Sequence, residues 1–173
     1  ECTSFSATPL DCRRGDVSVW SPKTGGLLVQ RLDGATPPAA SQARRLAQMR
    51  EIARRFSVSH YSSAQETTQL RLLPTPLYRF AAQGEGVLDG ALFAFVVSSD
   101  PEMLLLIEAV GDSAQQAGWR YSLGRMSSGR LAVRLDDREI WSLSNYHLGS
   151  PDEMRTGPYQ EARVGVFTSK GEE

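Results

Sequence analysis

Cysteine is almost missing from this chain, which has two, Cys2 and Cys12, among 173 residues. Their spacing fits no C-x-x-C redox or zinc pattern. Histidine is equally scarce: His60 and His147 each stand without a Cys, Asp or second His at ligand spacing, so no metal site is expected. No charge dominates either. Lys plus Arg number 19 against 20 Asp plus Glu, a formal net charge of -1, which argues against a dedicated nucleic-acid binder. No apolar run approaches the ~20 residues needed to cross a bilayer as a helix, so no membrane span is expected. No serine sits in a G-x-S-x-G elbow, and Gly84-Glu85-Gly86 precedes a strand-like run where a phosphate cradle needs a helix. A cofactor has no motif to hold it. The chain opens on Glu1, without the basic start and apolar stretch of a secretory signal, and is read as processed or excised.

What is present describes an ordinary globular chain, 40% hydrophobic, with enough residues for a real core. A breaker-rich linker, Gly34 to Ala40, ends at Ser41, a good N-cap. Beyond it Leu46, Met49, Ala53 and Phe56 recur at helical spacing among arginines. One amphipathic helix is predicted, with Ala43, Leu46, Met49, Ala53 and Phe56 against a sheet and Arg44 and Arg55 exposed. Five arginines between Arg44 and Arg55 make a basic stripe, read as a solvated helix face.

After Thr68 the pattern turns to short apolar runs, Leu70–Leu73, Leu77–Phe80, Ala91–Val97, Met103–Val110, Trp119–Met126, Leu131–Leu135 and Arg138–Leu143, which read as strands. Ser98 to Pro101 is too short for a parallel crossover, so its flanking strands should be antiparallel, and both of their faces are apolar. Turns at Ser127-Ser128-Gly129 and Asp136-Asp137 extend the pattern. The predicted fold is α+β: a mainly antiparallel meander of five to seven strands packed by the one helix.

An internal match appears when Trp20 is laid on Trp141, an offset of 121 (141 minus 20): Leu10 to Ser21 then falls on Leu131 to Ser142, with Leu, Arg, Asp, Trp and Ser coinciding. The turn pair Gly15-Asp16 lands on Asp136-Asp137. The chain therefore divides into residues 1–33, the tail of a first repeat unit; 34–60, linker and helix; 61–143, a complete second unit; and 144–173, an irregular tail. At the same offset Cys2 maps to Leu123 and Cys12 to Val133, which face each other if a hairpin centres on Ser128. Two readings stand for the cysteines: a disulfide between Cys2 and Cys12, or two free thiols.

The segments VWSP (Val19 to Pro22), RRLAQMREIARRF (Arg44 to Phe56), LRLLPTPLYRF (Leu70 to Phe80), VLDGALFAFV (Val87 to Val96), DPEMLLLIEA (Asp100 to Ala109) and WRYSLGRMSSGRLAVR (Trp119 to Arg134) resemble a family of uncharacterised exported proteins of planctomycete bacteria. The resemblance runs from about Phe5 to Leu143. It implies an extracytoplasmic protein, periplasmic or secreted, whose relatives carry an export signal and a related upstream half. It brings no activity and no catalytic residue.

Among the charged and aromatic side chains, Glu108 stands out because it ends an apolar run and is costly to bury alone. Arg120, Arg125 or Arg134 on neighbouring strands can pair with it. Asp89 before Gly90 reads as a turn residue. Trp119, Tyr121 and Trp141 read either as core or as the wall of a groove. The leading expectation is a non-enzymatic exported binding or structural module of unknown ligand or partner, without nucleic acid. The alternative is a small-ligand binder or enzyme with a pocket between helix and curved sheet centred on Glu108, using Glu108, Arg120, Arg125, Trp119 and Tyr121.

Overall fold

The computed structural model describes residues 2–62, 66–81, 86–111 and 116–161. Helix α1 (Gln42–Arg54) starts where the sequence places it, with the Ser41 hydroxyl accepting the Arg44 N–H at 3.3 Å. Met49, Ile52 and Ala53 are buried, Leu46 is half-buried and Ala43 is exposed. Ala43 thus departs from its expected place on the packed face. Burial rises along the helix, so its N-terminal turn stands off the sheet and its last turns press onto it. Arg55, expected exposed, is half-buried and paired with Asp136. Phe56 is already strand: the last residue of the helical pattern is the first of β5 (Phe56–Tyr61).

Ahead of the helix lie β1 (Cys2–Thr3), β2 (Cys12–Arg14), β3 (Val17–Trp20) and β4 (Leu27–Leu32). After β5 come β6 (Thr67–Gln69), β7 (Arg71–Leu72), β8 (Tyr78–Ala81), β9 (Val87–Val97), β10 (Asp100–Val110), β11 (Gly118–Arg125), β12 (Arg130–Leu135) and β13 (Arg138–Leu143). A 3₁₀ turn (Tyr146–Leu148), helix α2 (Pro151–Thr156) and β14 (Tyr159–Gln160) follow. Every pairing among the described residues is antiparallel, in keeping with an α+β fold. The single helix and the single meander of five to seven strands are not what forms. Among the described residues there are two α-helices, and the strands divide into β4-β11-β10-β9-β7 with β8 also on β9, then β13-β12-β5-β6, β1-β14 and β2-β3.

The expected hairpin about Ser128 is the main correction. Leu123 faces Leu105 and Leu28, whereas Val133 faces Val58 and Trp141. Strand β11 already has β10 on one edge and β4 on the other, so it offers no edge to β12. Residues 126–129 carry the chain from one sheet to the next instead. Without that hairpin the geometric case for a disulfide disappears. Cys2 sits opposite Gln160 and Cys12 opposite Trp20, in different sheets, and both are free thiols.

Strand alternation sorts side chains onto two faces of the larger sheet. Ala91, Phe93, Phe95, Met103, Leu105, Ile107, Trp119, Tyr121 and Leu123 join Met49, Ile52 and Ala53 of α1 and Phe56, Val58, Leu131 and Val133 of the second sheet in one core. Phe56 meets Tyr121 edge-on at 5.0 Å, tying the two sheets together. The opposite face is only partly covered: Ala94 and Val96 are buried, Leu92, Leu104 and Leu106 half-buried, and Leu27, Val29 and Tyr78 exposed. Central strands covered on both faces were expected, and one face is covered in full.

Two hairpins share one register. In β2–β3 the partners are Cys12 and Trp20, Arg13 and Ser18, Arg14 and Val17, with a bulge between Cys12 and Arg13. In β12–β13 they are Val133 and Trp141, Arg134 and Glu139, Leu135 and Arg138, with a bulge between Val133 and Arg134. Asp136 and Asp137 take left-handed φ values of 49° and 63°, which a two-residue hairpin turn requires and Asp tolerates. Gly15 supplies φ 60° in the other turn. Residues 144–161, expected to be irregular, form the 3₁₀ turn, α2 and β14, and the last of these ties this segment to β1.

Candidate functional site

The five residues singled out in the sequence do not converge, because strand alternation sends them to opposite faces. Glu108 and Arg120 are cross-strand partners on the outer face, joined from Nε at 2.9 Å and from Nη2 at 2.8 Å to the same carboxylate oxygen. Beside the pair the Phe80 ring lies over Gly90, the other cross-strand neighbour of Glu108, where a Cβ would meet the ring at 2.2 Å. The carboxylate is therefore ion-paired in place, and Glu108 is not among the walls of the cavities beside Trp119 and Arg125.

Trp119 and Tyr121 point into the core. Trp119 donates its indole N–H to the Thr36 carbonyl at 2.8 Å, pinning the linker ahead of α1. Burial pushes the Tyr121 phenol above its ordinary pKa. Between α1 and residues 34–36 lies a cavity of ≈ 540 Å³ whose walls include Gln48, Glu51, Ile52, Arg55 and Trp119. It is where the helix meets the sheet, on the side away from Glu108.

Arg125 ends β11 on the core-facing side and builds a different site. Its guanidinium donates from Nε to the Ser127 carbonyl at 2.7 Å, from Nη2 to Gly129 at 2.7 Å and from Nη1 to Ser144 at 3.2 Å. It lies 4.9 Å from the centroid of the Tyr159 ring. Burial lowers its pKa, yet it is in none of the ion pairs among the described residues. A guanidinium carries five N–H groups, and three carbonyl bonds leave two for another acceptor. Beside it opens a cavity of ≈ 480 Å³, the size of a small-molecule site, walled by Trp141, Leu143, Tyr146, Met154, Pro158 and Tyr159.

The rim of this cavity is held by local capping. Asn145 accepts the His147 N–H at 2.9 Å, and Ser150 with Glu153 forms a capping box at the start of α2, with Pro151 at the first helical position. Hydrogen bonds from the Ser150 backbone and hydroxyl hold the Glu153 carboxyl below its ordinary value of 4.5. A carboxyl-carbon NMR titration should place the Glu153 midpoint below 4.5, returning towards it in Ser150→Ala. Because the folded value is the depressed one, the cap's contribution is present above that ordinary value and is lost as pH falls through the folded one. An unchanged midpoint in the variant would show that the cap does not form in solution.

Other sequence candidates resolve into structural roles. Asp89 is no turn residue. It is fully buried within β9, where its Oδ2 meets Arg45 Nε of α1 at 3.0 Å and Arg79 Nη2 of β8 at 2.9 Å. The arginine stripe of α1 is divided by such pairs: Arg45 goes to Asp89, Arg55 makes a two-point contact with Asp136, and Arg44 and Arg54 remain exposed. His60 packs against Gly129, and His147 lies 3.1 Å from Glu161. No three His, Cys, Asp or Glu side chains are grouped to hold a metal among the described residues, and no helix there is long and apolar enough to cross a membrane. Gly84 and Glu85 fall outside the described residues, while Gly86 has φ 81° and leads into β9.

Sequence reasoning reached Arg125 and Trp141 but not the cavity they share. Tyr146 and Tyr159 come from the tail, where neither periodicity nor resemblance marks them. The one signal was the S-P-D-E string of Ser150 to Glu153, a helix start preceded and followed by tyrosines. Set against protein-family models, curated proteins and solved structures, the chain has no significant match.

Proposed function

We propose that the protein is a non-catalytic binding module that takes a compact aromatic or apolar molecule bearing an anionic group, seated in the Arg125 cavity. One observation carries this reading: a half-buried guanidinium, bonded to three carbonyls and lying against the Tyr159 ring but in no ion pair among the described residues, stands at a mostly apolar cavity. A partly desolvated cation gains from a counter-charge, and a ligand carboxylate supplies a charge-assisted, two-point partner for the remaining N–H groups. Trp141 and Tyr146 provide flat apolar walls for a ring. The non-catalytic part of the reading is supported by the engagement of the buried carboxylates, Glu108 by Arg120 and Asp89 by Arg45 and Arg79. The resemblance to an exported family extends the reading to an extracytoplasmic protein.

Phenylacetate titrated into ¹⁵N-labelled protein serves as the mapping probe. Shifts are expected at the Trp141 indole N–H and along residues 143–149 and 157–159, with the centre of β9 unmoved. Shifts centred on Glu108, or on the cavity beside Trp119, would place the site elsewhere and sink this assignment.

A further inference from the structure

The two ends of the chain repeat each other's pairing beyond the shared hairpin register. At the offset of 121 that lays Trp20 on Trp141, Cys2 and Thr3 of β1 fall on Leu123 and Gly124 of β11. In each case the strand after the hairpin pairs at these positions, but on the other copy. Leu28 and Leu27 of β4 face Leu123 and Gly124, while Gln160 and Tyr159 of β14 face Cys2 and Thr3. The step from Leu28 to Gln160 is 132, longer by 11 than the offset, and the 3₁₀ turn and α2 lie in that longer connection. Each copy thus lends its closing strand to the other, the reciprocity that a twofold axis between swapped units produces.

The equivalence also shows what covers one copy and not the other. Strand β11 carries β10 on the edge away from β4, and β12 carries β5 on the edge away from β13. Among the described residues β1 has only β14, and β2 only β3. The apolar side chains follow suit. Leu131 is wholly buried whereas its counterpart Leu10 is 40% exposed, and Ile140 packs on the core whereas Val19 is 43% exposed. We propose that the open edges of β1 and β2, with Leu10 and Val19, are the docking surface for a second unit of the fold of α1 through β11. That unit sets a β10-like strand beside β1 and a β5-like strand beside β2, so that β14 closes it as β4 closes the sheet of β11, about a pseudo-twofold axis.

The register makes the test specific. A tandem is built in which residues 34–121 are joined directly to Glu1 of the full chain, in a Cys2→Ser background, so that the added β11 runs into β1 at the required offset. A second tandem carries one inserted residue at the junction, which turns each side chain to the wrong face. The in-register tandem should protect Cys12 from thiol labelling by at least about tenfold relative to the single chain, and slow amide exchange at Arg13 and Arg14. Because Val133 faces Val58, Val58→Cys in the added unit should form a disulfide with Cys12, and Ser57→Cys there should not. Equal labelling of Cys12 in the single chain and both tandems would overturn the proposal. So would an in-register tandem that fails to unfold cooperatively, since the added unit must stabilise these edges.

Discussion

Asp89→Ala should lower the stability of the fold by about 3–5 kcal/mol, at the lower end because Arg79 keeps some contact with water. The carboxylate has no exposed surface, and it holds two guanidiniums that come from different elements. Arg45 reaches it from α1 and also donates to the carbonyls of Ala39 at 3.0 Å and Ala40 at 2.8 Å, while Arg79 reaches it from β8 and also bonds the Gln42 carbonyl. Removing Asp89 therefore leaves two cations part-buried and unpaired, and frees the standing-off end of α1. Replacing the carboxylate together with both arginines by apolar side chains should recover much of the loss, because the cost lies in the orphaned charges. Urea denaturation of the three proteins measures this. A loss below about 1 kcal/mol for Asp89→Ala would mean that the clamp is a surface pair in solution.

Phe93→Ala should cost a similar amount, about 3–5 kcal/mol, while Val29→Ser on the opposite face stays within about 0.5 kcal/mol. Phe93 lies at the centre of β9 with 1% of its surface exposed, in the core shared by the helix and both sheets, so truncation opens a cavity that close-packed neighbours fill only in part. Val29 is 49% exposed on the other face of the same sheet. Comparable losses at the two positions would show that both faces are covered, contrary to the one-sided core described above.

The pattern of Leu46, Met49, Ala53 and Phe56 located α1, and the short Ser98–Pro101 connection correctly made β9 and β10 antiparallel neighbours. Both rest on local chemistry: a cap, a period, a turn too tight for a crossover. What escaped depends on partners far along the chain. Leu27–Leu32, which carries Gln30 and Arg31, is not among the strands expected from the sequence, yet it fills the edge of β11 and so forbids the hairpin on which the Cys2–Cys12 bridge rested. Asp89 reads as a turn because Asp-Gly pairs usually are, and only the convergence of Arg45 and Arg79 from separate elements makes a mid-strand carboxylate tolerable. The candidate residues on β11 could have been sorted by alternation alone, since Arg120 and Tyr121 must face opposite ways. The Arg125 cavity lay beyond such sorting. Its walls come from β13, the 3₁₀ turn, α2 and β14, and the matching hairpin of β2 and β3 has no such insertion behind it.

Calorimetric titration of the unaltered protein with phenylacetate and with phenylacetamide separates the charge from the ring. The two probes share an apolar body and differ in the anionic group, and no mutation disturbs the carbonyls that Arg125 holds. The acid should bind at least about tenfold more tightly than the amide, since a hydrogen bond to a charged partner is worth roughly 1.5–3 kcal/mol, and added salt should narrow the gap. Equal affinity for the two, or no heat from the acid at millimolar concentration, would contradict a site built around the Arg125 guanidinium.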